Sequence, residues 1–278
     1  MHYLSMVGIF RQENAWLDEW IQYHHAVGVE HFYMVSDDVT PFVKVSDRIL
    51  QPYVDRGLVT LVHVNEMGDA ISGNRAALQD DVYKEIIKRA VGKTRWLGII
   101  DLDELLLPRS CDDLREFLRE FEEYSGLAVH VQLFGTSGYI KRPPTLINHL
   151  LRRAETMFGC NGWLKCIIKP DKTNTDVHWY LTLHHPPMTE GAIVKENHVP
   201  VHGGYCGNIT TEKIALNHYA LRSWQDYCET KEYRNQFGLT MNDYGMDYFL
   251  RHDRNEVFDD EISRRFGHVM NCYCGAKK

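Results

Sequence analysis

Apolar runs and polar stops alternate along the first hundred residues at intervals that fit strands followed by helices. Residues 3–10 (YLSMVGIF) form a short apolar run that stops at Arg11-Gln12-Glu13-Asn14, which predicts a strand entering a polar loop. Over 15–26, Trp16, Trp20, Ile21 and Tyr23 recur at helical intervals before Gly28, which predicts a helix. A second strand is predicted over 31–35 (HFYMV), running into Ser36-Asp37-Asp38, then a helical piece over 48–54 closed by Gly57. The run 58–64 (LVTLVHV) is rich in β-branched residues and predicts a third strand. Across 74–91, Ala77, Leu78, Val82, Ile86, Ile87 and Ala90 make one apolar stripe with charges opposite, an amphipathic helix. Residues 95–100 (RWLGII) read as an apolar strand that ends at Asp101-Leu102-Asp103-Glu104.

Strand and helix alternating at this spacing predict βαβ units, hence an α/β fold with a mostly parallel sheet covered by helices on both faces. Ligands of such sheets bind outside the carboxyl ends of the strands. The polar segments 11–14, 36–38, 65–66 and 101–104 therefore gather on one rim. Beyond Pro108 the organisation changes. A charged helix is expected over 112–124, a strand over 127–134, a helix near 146–154, and strands over 163–168 and 177–183. A Gly/Pro/His-rich stretch over 186–207 reads as loop or hairpin, and 223–237 and 246–252 as helical. The chain thus divides into a first half, 1–108, and a second half, 109–278, of one domain.

Composition narrows the class. The chain has 278 residues, 44% hydrophobic and 25% charged, with a formal net charge of −7, enough to build a large core and a poor match to nucleic acid. No run approaches the roughly 20 apolar residues of a membrane span, and the N-terminus lacks signal-peptide features. The expectation is a cytoplasmic chain with no integral membrane segment, able to meet a partner at a membrane face. Seven scattered cysteines fit reduced thiols better than a disulfide framework. Fifteen histidines include His178, His184, His185, His198, His202 and His218 close together. They lack His-Glu-x-x-His spacing, which weighs against a zinc hydrolase.

Asp-x-Asp after a buried apolar strand is the sharpest chemical feature. In extended backbone, residues i and i+2 point the same way, so Asp101 and Asp103 present two carboxylates to one ligand with Glu104 nearby. Hard oxygens of this kind suit Mg²⁺ or Mn²⁺ clamping a diphosphate. A strand-end turn whose Asp side chains cap backbone N–H groups is the plainer alternative.

The block RQENAWLDEWIQYHHAVGVEHFYMVSDD, with LQPYVDRGLVTL, TRWLGIIDLDELLLP, FGTSG, WLKCIIKP, LNHYALRSWQDYCETKEYR and DRNEVFDDEI, resembles nucleotide-sugar glycosyltransferases of GT-A fold, the family-2-like and family-92-like group. Where that group opens with Lys-Asn-Glu, this chain has Arg11-Gln12-Glu13. The resemblance implies a Rossmann-like central sheet, a smaller mixed acceptor region in the second half, and transfer of a sugar from a nucleotide sugar to a glycan hydroxyl. A UDP-sugar such as UDP-glucose, UDP-galactose or UDP-xylose is the implied donor, with a GDP-sugar as the alternative, and Mn²⁺ or Mg²⁺ the implied metal. Residue by residue, it implies Asp101 near ribose and metal, Asp103 and His218 on the metal, and Arg11, Glu13 and Asp37 around the nucleoside. Asn74 and Gln79 fall toward the diphosphate or sugar, and Lys165 and Arg222 become cations for the leaving diphosphate. Inverting chemistry, the implied outcome, needs one carboxylate as general base; Asp176, Glu190, Asp243 and Asp247 are the candidates. Trp163, Trp179 and Tyr180 are candidates for stacking on a sugar, against the commoner role of strand aromatics in the core. Other readings of Asp-x-Asp are a metal-dependent phosphatase and a non-catalytic sugar-nucleotide-binding module.

Overall fold

The computed structural model describes residues 1–38, 41–72, 77–177, 179, 184–233 and 244–274, without the side chains of 271–274. The first half runs β1 (His2–Phe10), α1 (Leu17–Ala26), β2 (His31–Ser36), α2 (Phe42–Asp55), β3 (Val59–His63), α3 (Leu78–Ala90) and β4 (Thr94–Ile99). Each predicted element of this half is present, with α2 longer than expected. β1 pairs in parallel with β2 and β4, and β2 with β3, so four consecutive parallel strands stand in the order β3-β2-β1-β4. Alternation along β1 explains the two faces. Leu4 and Met6 enter the cluster built with Leu17, Trp20 and Ile21 of α1, while Val7 enters the one built with Val82, Ile86 and Ile87 of α3.

After β4 come β5 (Glu104–Pro108), α4 (Leu114–Leu118), β6 (Gly126–Leu133), β7 (Arg152–Arg153), β8 (Leu164–Ile168), β9 (Ile193–Val194) and β10 (Ile214–His218). Then follow α5 (Trp224–Tyr227), a π-helical turn (Cys228–Glu232), α6 (Met246–His252), β11 (Val257–Phe258) and α7 (Glu261–Cys274). The sheet continues β4-β8-β6-β10-β5, with β8 antiparallel to β4 and β6, and β10 parallel to β6 but antiparallel to β5. The fold is α/β with one large, mostly parallel sheet, as expected.

β4 and β5 lie four strand positions apart in this order. Flat strands four positions apart would be separated by about 19 Å. The link from Ile99 to Glu104 includes a turn in which the Glu104 N–H donates to the Asp101 carbonyl at 3.1 Å, so it spans no more than about 14 Å. The sheet must curl to bring β5 back toward β4. The acidic turn sits at the seam.

Several second-half expectations are corrected. The helix expected near 146–154 is absent. Its apolar spacing suits a helix, but the Glu19 carboxylate takes the N–H groups of Leu146 and Ile147 at 2.8 to 3.0 Å, and Arg152 and Arg153 pair with β11. The helix expected over 112–124 is α4 followed by a 3₁₀ turn (Arg119–Phe121). β5, β10 and α7 had not been anticipated. Residues 178, 180–183 and 234–243, which include most of the expected strand over 177–183 and the end of the helix over 223–237, lie outside the described residues. Cys111, Cys160, Cys166, Cys206 and Cys228 are free thiols. Among the described residues, no helix is long and apolar enough to cross a membrane.

Candidate active site

The acidic turn is held by backbone contacts from three elements. Trp20 of α1 donates its indole N–H to the carbonyls of Asp101 and Glu104 at 3.1 and 3.0 Å. The Tyr219 N–H, just after β10, donates to the Asp103 carbonyl at 2.7 Å. Gly8 of β1 lies under the turn, where an added Cβ would stand 2.8 Å from Leu102 Cδ1; hydrogen at that position is what lets the turn settle onto the strand. Asp101 and Asp103 therefore sit on a turn rather than in the extended strand expected, and each meets its own cation.

Asp101 Oδ2 lies 2.5 Å from the Lys165 ammonium of β8, and its Oδ1 accepts from the Tyr83 hydroxyl of α3 at 3.2 Å. Lys165 also stands 3.4 Å from Glu104 Oε2, which accepts the Asp101 N–H at 2.9 Å. The Glu104 side chain is 2% exposed against 33% for Asp101, so the third acid faces inward and braces the turn. Asp103 Oδ2 is 3.2 Å from the Lys231 ammonium and 3.7 Å from His218 Nε2. Lys231 rides on the π-helical turn, 3.4 Å from the Tyr248 hydroxyl of α6 and above the rings of Tyr244 and Tyr248. An extra residue in a helical turn of this kind often marks a functional position.

These contacts set the charges. Burial works against ionisation of Asp103, but Lys231, His218 and Arg222 hold its carboxyl well below the ordinary range. Burial likewise opposes the Asp101 charge, and Lys165 outweighs it, leaving that carboxyl lowered. Glu104 is raised, chiefly by burial. Both lysines are raised despite burial, Lys165 by Asp101 and Glu104, Lys231 by Tyr248 and Asp103.

The other expected residues divide. Arg11 pairs with Asp37 at 3.2 Å across the ends of β1 and β2, and the Gln12 N–H donates to Asp38 Oδ1 at 2.6 Å. Glu13 pairs with Arg222, whose guanidinium is buried over the Trp16 ring. Arg222 thus lies within the protein, behind Asp103. Gln12 and Arg222 both adopt left-handed backbone, φ 60° and 59°, local strain of the sort found at functional sites. The rim consequently assembles Arg11, Glu13, Asp37, Asp101, Asp103 and His218, with Lys165 and Arg222 buried behind the acids. Gln79 is exposed at the start of α3. Asn74 and Asp243 lie outside the described residues. Glu190 pairs with Lys172 at 3.1 Å, and its carbonyl accepts from the Ser125 hydroxyl next to the start of β6. Since Gly126 of β6 pairs with Ile168, and Ile168 with Leu97, Glu190 stands toward the opposite end of the sheet. Asp176 is exposed beyond β8, its N–H bonded to Asn174 Oδ1 at 3.1 Å. Asp247, exposed in the first turn of α6, adjoins the Tyr248 that reaches Lys231.

In kind, the donor set fits a small hard cation: two reachable carboxylates and an imidazole. Two ligands each about 2.1 Å from one ion stand roughly 3 to 4 Å apart, which matches the 3.7 Å between His218 Nε2 and Asp103 Oδ2. Lys231 holds that same oxygen, so an ion there requires its ammonium to turn aside. Among the described residues, no three His, Cys, Asp or Glu side chains are already gathered as a metal cage. Three of the clustered histidines are tied into the fold: His184 Nδ1 contacts the Leu164 carbonyl, His185 Nε2 the Val201 carbonyl, and His198 stacks on Phe121.

Residues 2–257 match the pattern of glycosyltransferase family 92. The chain belongs to that family. Among curated family 92 proteins, one from Ricinus communis is 23% identical over 242 residues, covering 84% of this chain and 38% of the relative. Another, from Oryza sativa subsp. japonica, is 24% identical over 234 residues, covering 81% and 34%. This family 92 chain thus spans little more than a third of the length of those relatives. Among solved structures, HddC from Yersinia pseudotuberculosis overlaps 84% of the chain and 99% of its own at 11% identity and a TM-score of 0.39. The mannosyltransferase PcManGT from Pyrobaculum calidifontis, solved with GDP-Man and Mn²⁺, overlaps 72% and 56% at 13% identity and a TM-score of 0.36.

Within this family 92 site, sequence reasoning found the acids and missed what holds them. Lys231, Tyr83, Trp20 and Gly8 carried no local signal. Lys231 reaches Asp103 from 128 residues away.

Proposed function

We propose that the chain is a metal-assisted glycosyltransferase that moves a sugar from a nucleoside diphosphate sugar, a UDP-sugar, to a hydroxyl of a glycan, with inversion. One observation carries the reading: Asp101 and Asp103 stand at the carboxyl ends of parallel strands, where such sheets bind nucleotides, each ionised against a lysine. Family membership supports it.

In this reading Arg11 and Asp37 line the nucleoside pocket, Glu13 and Arg222 brace it from within, and Gln79 is assigned to the diphosphate, as the resemblance also assigns Asn74. Asp101 lies by the ribose, and Asp103 with His218 would hold Mn²⁺ or Mg²⁺. The ion, when bound, neutralises charge on the diphosphate. With Asp103 engaged by an ion, the Lys231 ammonium would be free to face the phosphate oxygens and stabilise the negative charge that grows as the glycosidic bond breaks. Lys165 stays on Asp101 and Glu104 and keeps the turn in shape. A carboxylate facing the acceptor takes the hydroxyl proton. Asp247 is the described candidate nearest the turn, with Asp243, Asp176 and Glu190 as the others.

A thermal-shift panel of UDP, GDP, UDP-glucose, UDP-galactose and UDP-xylose, with and without Mn²⁺, tests the reading. A Mn²⁺-dependent rise with uridine nucleotides that disappears in Asp103→Ala is expected. A rise with guanosine nucleotides alone would reassign the donor, and no rise with any nucleotide would remove the transferase reading. Binding without turnover across an acceptor panel would indicate a binding module.

A further inference from the structure

Trp163 and Tyr205 are large aromatic side chains left 46% and 52% exposed, and Trp163 is the one exposed tryptophan among the described residues. Their rings meet edge to face at 5.5 Å, and Trp163 lies 5.1 Å from the His184 ring. Exposure here is not looseness. The two residues form a β-bridge, with the Cys206 N–H donating to the Gly162 carbonyl at 2.8 Å and the Leu164 N–H to the Gly204 carbonyl at 3.0 Å. The Tyr205 hydroxyl donates to the Gly159 carbonyl at 3.2 Å. Gly162 lets the Tyr205 ring lie close over the join, since a Cβ there would come within 2.6 Å of that ring. The framework fixes two aromatic surfaces in contact with solvent, at a cost that burial would have avoided.

Their position connects them to the acidic turn. Trp163 directly precedes β8, which runs antiparallel to β4 with Cys166 opposite Ile99. Trp163 therefore projects past the carboxyl ends of the parallel strands, beyond the Lys165 that holds Asp101. His184 fills the space between, in contact with Trp163 and within the fields of Lys165, Asp101 and His218. Its Nδ1–H donates to the Leu164 carbonyl at 2.6 Å, so the neutral ring presents Nε2 as an acceptor. Trp179, by contrast, is fully buried, with its indole N–H on the Asn174 carbonyl.

We propose that Trp163 and Tyr205 form a binding platform for a pyranose ring of the acceptor glycan, beside the site of transfer. A pyranose offers a face of C–H groups to an aromatic ring and hydroxyls at its edge to polar neighbours, and here rigid aromatic faces adjoin an imidazole acceptor at the rim of the reactive carboxylates. The proposal rests on the transferase reading, and the test separates the two.

Ligand-observed NMR, with UDP and Mn²⁺ present, would compare wild type with Trp163→Ala, Tyr205→Ala and Trp163→Phe. The probes are di- and trisaccharides of galactose, glucose, mannose and N-acetylglucosamine. At least one saccharide is expected to bind wild type, about tenfold more weakly to either alanine variant and within about threefold of wild type to Trp163→Phe. The thermal shift given by UDP and Mn²⁺ serves as the control for folding and donor binding. A saccharide bound equally by all variants, or none bound by a wild type that binds UDP, would overturn the platform. A wild type that does not bind the nucleotide would instead overturn the transferase reading beneath it.

Discussion

Lys165 and Lys231 show how differently two lysines act on one acidic turn. Lys165 is buried between Asp101 and Glu104, so replacing it leaves two carboxylates without their counter-ion. Lys165→Met is expected to destabilise the fold by about 3–5 kcal/mol, read as a fall in the urea midpoint. Among the described residues, Lys231 pairs with Asp103 alone and sits among tyrosines, both charged groups mostly buried. Lys231→Met is expected to lower the urea midpoint less than Lys165→Met, since it strips one carboxylate rather than two, and to weaken UDP binding about tenfold, with part of the loss restored in Lys231→Arg; titration calorimetry measures the binding. At this scale the acids were legible because three of them end an apolar strand. The lysines were not. Lys165 read as a phosphate cation because its pairing with Asp101 and Glu104 joins strands far apart in the chain, and Lys231 fell within a segment expected only to be helical.

At the scale of elements, α1 is tied to β5 through a histidine that must stay neutral. The Leu106 N–H donates to His24 Nε2 at 3.2 Å, so Nδ1 carries the proton and donates to the Trp20 carbonyl at 2.9 Å. Burial lowers this imidazole to about 3. A group depressed on folding contributes stability that is full above its unfolded pKa, about 6.5, and is lost as pH falls toward the folded value. The melting temperature is thus expected to fall from pH 6.5 toward pH 3, and His24→Gln to flatten that slope. Gly8 makes a second prediction. Gly8→Val pushes a side chain into Leu102 and Trp20, and loss of UDP binding with the far-UV spectrum retained is the expected result. α1 was legible from the spacing of its tryptophans, and the parallel strands from their apolar runs. β5 was hidden because Glu104-Leu-Leu-Leu-Pro108 continues the acidic run with no alternation to mark a new strand. The false helix near 146–154 shows the converse, a helical pattern overruled by one carboxylate from α1.

Across the whole molecule, the two halves of the chain share a sheet and a site. β8 joins β4 to β6, β10 receives β5, and Lys165, His218, Arg222 and Lys231 of the second half meet Glu13, Asp101, Asp103 and Glu104 of the first. Unfolding is expected to be a single cooperative event, with tryptophan fluorescence and far-UV circular dichroism giving coincident urea transitions. Separate transitions would show that 1–108 holds together without its partner strands. That α/β layering was readable in the sequence follows from local pattern; the curl was not, since it arises from where β5 finds a neighbour.

The curl has an evolutionary consequence. The short link between β4 and β5 is a suture: it draws the far edge of the sheet home, and its own residues carry the paired acids. A one-residue insertion between Leu102 and Asp103 would loosen the seam and displace a carboxylate together. Loops away from the seam, such as the one bearing Tyr205, can change length without disturbing it, while the stitch itself admits almost no change in length.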